Sequence, residues 1–144
     1  MNNYSKIIED KFSDIINRYG LVLAVKNQNE TFLLGKIYAI SIFIRRDELS
    51  IIYIDIASKN KFTEYDLGLF MVSKRFSPSD FGEKKEYSDH NELIAEALNR
   101  YSKKLLQYCD DILVGDKEWL KSYPWNSSAV AEDTKLFLLN NIGK

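Results

Sequence analysis

The stretch Ile40–Ile56, ISIFIRRDELSIIYIDI, decides the fold. Ile40, Ile42 and Ile44 alternate with Ser41, Phe43 and Arg45. After the polar break Arg46-Asp47-Glu48, Ile52, Ile54 and Ile56 alternate with Ile51, Tyr53 and Asp55. Two β-branched runs of period two joined by a short polar turn form an antiparallel hairpin. The isoleucine rows are expected to share one buried face. The other face, with Phe43, Arg45, Tyr53 and Asp55, is then mixed and either partly covered or open to a partner.

Upstream of the hairpin, Tyr4, Ile8, Phe12, Ile15 and Tyr19 recur at spacings of three and four, a helical stripe closed by Gly20. Leu21–Val25 and Thr31–Lys36 read as strands separated by the turn cluster Asn27–Glu30. Downstream, Ser58–Lys61 reads as a loop. Tyr65–Val72 is a strand or a short helix with Asp66 as N-cap, and Phe76–Tyr87 is an irregular excursion. Asp89 followed by Glu92 opens a long helix whose stripe runs through Leu93, Ala97, Tyr101, Leu105, Tyr108 and Ile112 to Gly115. Asp116 caps a short helix through Trp119 and Leu120, stopped before Pro124, and Ala129–Asn140 forms a last helix. Strands grouped between helices define an α+β fold: an antiparallel β-sheet with an N-terminal helix and C-terminal helices packed on one face. No linker divides residues 1–144, which read as one domain.

The 144 residues are 45% hydrophobic and 28% charged. A chain of this mass buries about two-thirds of its unfolded surface, enough for a core without disulfides or metal. Twenty basic side chains nearly balance twenty-one acidic ones, for a net charge of −1. Direct nucleic-acid binding by a whole-chain basic field is therefore not expected. The opening residues lack an apolar signal region and place Glu9 and Asp10 where one would lie. No apolar run approaches the ~20 residues a membrane span requires. The expectation is a soluble cytoplasmic protein with no membrane partner.

Few side chains are arranged for chemistry. His90 and Cys109 fall on one predicted helix, about 28 Å apart at 1.5 Å per residue, too far for a dyad. Cys109 lies in the apolar stripe and precedes Asp110 and Asp111, which disfavour a thiolate, so it reads as a small core residue. One cysteine and one histidine leave no cysteine or histidine cluster for a metal, and no glycine-rich phosphate loop occurs. No cofactor, metal or catalytic residue is expected. Lysines and arginines flanking Phe62, Phe76 and Phe81 are diluted by acidic neighbours. A hydrolase using Asp55, Asp110 and Asp111 has no second signal to support it.

What stands out is an acidic joint, Asp110, Asp111, Asp116 and Glu118, followed by Tyr123 and Trp125. Clustered carboxylates steer a basic partner, and exposed Tyr and Trp anchor interfaces. The alternative is that Asp116 only caps a helix and the aromatics only seal the core.

The layout from Tyr4 to Tyr123 resembles the small immunity proteins of bacterial polymorphic toxin systems, including contact-dependent growth inhibition. The residues carrying the resemblance are RYG (Arg18–Gly20), IFIRRDELSIIYIDI (Ile42–Ile56), the spaced Leu67, Phe70 and Arg75, and LLQYCDDILVGDKEWL (Leu105–Leu120). Its most specific part is the Y-C-D-D-I-L-x-G-D run. The resemblance implies a non-enzymatic protein that binds a cognate toxin C-terminal domain and blocks its active site or substrate approach. Toxins of these systems are often nucleases, whose basic clefts suit an acidic inhibitor; the net charge of −1 departs from that pattern. A non-enzymatic adaptor or regulatory interaction domain is the other reading.

Overall fold

The computed structural model describes residues 4–58, 61–80 and 89–142. Six strands form one antiparallel sheet in chain order: β1 Val22–Val25, β2 Glu30–Leu34, β3 Tyr38–Arg45, β4 Glu48–Ser58, β5 Lys61–Asp66 and β6 Ser128–Ala129. The helices are α1 Ser5–Lys11, α2 Ser13–Tyr19, α3 Leu67–Phe70, α4 His90–Tyr108, α5 Asp110–Leu113 and α6 Glu132–Asn141. A π-helical turn, Met71–Arg75, follows α3, and 3-10 turns occupy Pro78–Asp80 and Glu118–Ser122. The α+β class is as expected. Most of the predicted excursion lies outside the described residues, as do two residues of the predicted loop before β5.

The hairpin forms between β3 and β4, but its faces differ from the expectation. The turn is the two residues Arg46 and Asp47, with Arg46 at φ 57°, and Arg45 pairs with Glu48. Even-numbered residues of β3 therefore face odd-numbered residues of β4: Ile44 meets Leu49, Ile42 meets Ile51 and Ile40 meets Tyr53. Cross-strand partners share a face, so the second isoleucine row, Ile52, Ile54 and Ile56, lies on the opposite side. The two rows do not make one face, and Tyr53 is fully buried rather than presented to a partner.

Both faces of the central strands are consequently apolar, and both are covered. On the first face, Ile40, Ile42, Ile44, Ile51 and Tyr53 pack with Ile8, Phe12 and Ile15 of the opening helical segment and with Leu98, Leu105, Ile112 and Trp119. On the second face, Phe32, Leu34, Ala39, Ile54 and Phe62 pack with Leu138 of α6. The expectation of helices on one face holds for α1–α5 and fails for α6. A sheet with an isoleucine row on each side needs a layer on each side.

Local signals act as expected at several ends. Gly20 terminates α2 at φ 66°, a left-handed conformation suited to glycine. The Asp66 carboxylate accepts from Leu69 N–H, so Tyr65–Val72 divides into the end of β5, the α3 turn and the start of the π turn. Asp89 caps α4 by accepting from Glu92 N–H at 2.7 Å. Two predicted helices are interrupted. The opening helix breaks at Phe12, at φ −105° and ψ 13°, and the long helix breaks at Cys109, at φ −126° and ψ 25°. Both residues are fully buried, and the breaks redirect the chain around the core.

Ile42→Asp and Ile54→Asp test the two faces separately, because each buries an unpaired carboxylate. Each is expected to cost about 4 kcal/mol or more. A urea unfolding free energy within ~0.5 kcal/mol of wild type for either variant would remove that face from the core.

Candidate functional site

The acidic joint begins where α4 gives way to α5. Cys109 N–H closes α4 by bonding to Leu105 O at 2.8 Å, and Leu113 N–H bonds to Cys109 O at 3.0 Å to open the next turn. The Cys109 side chain is buried in the first core. Desolvation pushes its thiol up to about 12, against the opposing pull of Arg75. It is the small apolar residue expected, not an activated thiolate.

Asp111 faces Arg75, brought from the π turn. Arg75 donates to both carboxylate oxygens, at 2.6 and 3.0 Å, and its Nη1 also donates to Tyr108 O at 2.7 Å. Burial opposes the charge on Asp111, but the Arg75 hydrogen bonds and cation outweigh it and hold the carboxyl below its ordinary value. Asp110 accepts from the Tyr19 hydroxyl at 2.6 Å. Partial burial, reinforced by this carboxylate, raises the phenol to about 12. Both acids thus fasten the joint to other elements, Asp111 to the π turn and Asp110 to α2.

Gly115 follows at φ 103°, with Ile37 Cδ1 only 2.8 Å from where a Cβ would stand, so close approach and backbone sign both require glycine. Asp116 accepts from Glu118 N–H at 2.9 Å, an i to i+2 side-chain turn just ahead of the 3-10 segment, whose N-cap is Lys117 rather than the expected Asp116. Glu118 pairs with Lys121 at 3.0 Å on the open surface, where such pairs hold little. Lys117 lies against Asp55, on the first face of the sheet. Asp55, Asp110 and Asp111 therefore have three different partners, and no group of three or more metal-ligating side chains occurs among the described residues.

The aromatics form a continuous stack. Tyr38 lies parallel to Tyr53 at 5.4 Å, and Trp119 meets Tyr53 edge-on at 5.0 Å. Phe70 packs on Trp119 at 4.8 Å, Tyr123 sits edge-on to Tyr65 at 5.1 Å, and Trp125 sits edge-on to Tyr123 at 5.3 Å. The Tyr123 hydroxyl accepts from Asp66 N–H at 2.8 Å. Trp125 is the half-buried outer end of this stack. Of the six expected interface residues, Asp110, Asp111, Asp116 and Tyr123 have internal partners. Glu118 and Trp125 are left presented by a rigid support.

Sequence reasoning missed the ties that cross the chain. His90 is half-buried: Nδ1 lies 2.7 Å from Asp47 Oδ1 and Nε2 lies 2.9 Å from the Tyr4 hydroxyl. A carboxylate only accepts, so Nδ1 donates to Asp47, and Nε2 shares a hydrogen bond with the Tyr4 hydroxyl. Three elements meet on this ring. Asp80 is likewise held, by Lys104 and by the Tyr108 hydroxyl at 2.6 Å, beside a cavity of about 290 Å³ lined by Val72, Phe76, Ala97 and Tyr101. No local pattern announces partners separated by dozens of residues. No family model matches the chain, and no curated protein or solved structure is significantly similar to it.

Two measurements check the joint. Cys109 is expected to resist alkylation at pH 8 in the folded protein and to react fully in urea; rapid native labelling would contradict its burial. A double-mutant cycle of Arg75→Met and Asp111→Asn is expected to give a coupling of about 1 kcal/mol, modest because Asp111 is partly exposed. Its sign with pH follows from the lowered carboxyl. The coupling is complete above the ordinary aspartate range and is lost as pH falls through the depressed value of Asp111. A coupling that grew on acidification would refute the assignment.

Proposed function

We propose that this chain is a non-enzymatic, cytoplasmic immunity protein that binds a cognate toxin domain and blocks its active site or substrate approach. The observation that carries the reading is Trp125, a half-buried indole at the outer end of an aromatic stack rooted in the sheet. Rigid, pre-positioned aromatic side chains give up little entropy on binding and are frequent interface anchors. Beside it in sequence, Asp116 and Glu118 supply carboxylates for a basic surface. The Y-C-D-D-I-L-x-G-D run that carries the family resemblance builds the joint leading to these residues. A further support is Leu69, which is exposed one residue before Phe70, whose ring stacks on Tyr123 at 6.2 Å.

The test pairs the purified protein with the toxin domain encoded next to its gene. Trp125→Ala is expected to weaken binding by about 30-fold or more, the signature of an interface anchor. Glu118→Lys is expected to act chiefly on association rate, with an effect that shrinks as salt is added. Neither substitution removes a buried partner, so both variants are expected to fold. Tight binding by the wild type with unchanged affinity for both variants would place the interface elsewhere. No binding and no protection of cells by the wild type would overturn the immunity reading itself.

A further inference from the structure

We infer that β1 is a pairing edge for a second copy of this chain, joining two sheets into one across a two-fold axis. The geometry follows from the register of β1 on β2. Lys26 N–H bonds to Glu30 O at 3.0 Å, and the pairs Ala24–Phe32 and Val22–Leu34 continue the same register. In an antiparallel ladder, hydrogen-bonded pairs alternate with pairs whose backbone groups point away. Ala24 and Val22 therefore bond to β2, while the N–H and C=O groups of Leu23 and Val25 point out of the sheet. None of these outward groups has a hydrogen-bond partner among the described residues.

Such an edge is a template for another strand, and proteins that stay single guard it with charge, proline or brevity. The opposite edge is guarded in that way: β6 is two residues long and polar at Ser128. β1 is twice as long, four residues, and lacks the other guards: it reads Val-Leu-Ala-Val, with neither charge nor proline, and Val22 is 59% exposed. The nearest charge, Lys26, is paired with Glu30 of β2 and Asp133 of α6, at 3.4 and 2.9 Å.

A second copy fits this edge because the strand is its own complement. Two β1 strands set antiparallel about Ala24 place Leu23 of one opposite Val25 of the other, twice. Both are then hydrogen-bonded pairs, and every outward group is satisfied. The register sets each Val22 opposite Lys26 of the second copy, whose aliphatic stem can cover it, and no like charges meet. This is a closed, isologous contact of the commonest symmetry. Its residues are distinct from those proposed to meet a toxin.

Sedimentation of the full chain across a range of concentrations reads the assembly directly. The wild type is expected to approach twice the 16.8 kDa of one chain as concentration rises. Val25→Pro removes only an outward N–H, a position where edge strands tolerate proline, and is expected to give a folded monomer. Val22→Lys and Val22→Glu test the register without touching the backbone. The lysine, opposite Lys26 of the second copy, is expected to weaken association at least tenfold. The glutamate, opposite the same ammonium, is expected to preserve or strengthen it. Hydrogen exchange on the wild type serves if Val25→Pro fails to fold: Leu23 and Val25 amides are expected to gain protection with concentration, whereas Ala24 is protected throughout. A wild type that stays monomeric at several hundred micromolar overturns the inference. So does a dimer in which Leu23 and Val25 exchange freely, or one that Val22→Lys and Val22→Glu affect alike.

Discussion

The pairing of Arg45 with Glu48 across a two-residue turn is the constraint on which the rest of the structure depends. It sets the β3–β4 register so that even positions meet odd ones, and so divides the isoleucines between two faces. Once divided, each face carries a full apolar row, and neither can be left to water. The α1–α5 layer and α6 are the two answers to that one condition. The depth of Tyr53, the stack built upon it and the position of Trp125 all follow, because the same register turns Tyr53 into the helix-covered core.

The acidic joint illustrates how an apparent surface charge cluster is reduced by a fold. Four carboxylates lie within nine residues, yet Asp111 is matched by Arg75, Asp110 serves Tyr19 and Asp116 closes a backbone turn. Little unpaired negative potential remains. A partner meeting this region would find a rigid aromatic edge with a few exposed charges rather than an acidic field. That pattern favours specificity through shape over steering by charge alone.

Much of the fold was legible in the sequence because its signals are local. Gly20, Asp66, Asp89 with Glu92, and the isoleucine alternation each act within a few residues, and each produced the expected element. Face assignment was not legible, because it depends on whether the turn holds two residues or three, and Arg46-Asp47-Glu48 is polar throughout. The breaks at Phe12 and Cys109 were hidden for a related reason: the apolar stripe continues across both, and only packing against the sheet redirects the chain. Of the joint, the burial of Cys109 could be read locally, whereas Asp116 turns the chain one residue ahead of the cap position that its sequence context suggested. The Arg75–Asp111 pair could not, since the two residues lie in elements whose meeting is decided by tertiary structure.

The second core has a consequence for synthesis. Phe32, Ala39, Ile54 and Phe62 belong to strands made early, whereas Leu138, which closes over them, lies in residues 132–141. The first face can be sealed once α4 and α5 have left the ribosome, but the second stays open for the whole interval until α6 emerges. During that time the nascent sheet shows a water-facing apolar surface next to an unguarded edge, the two features most prone to misassembly. Shielding by a chaperone, or prompt completion of translation, matters most for this half of the molecule. A ribosome stalled after α5 has emerged and before residues 132–141 are made would leave a chain with its strands β1–β5 made and only one of their faces able to close.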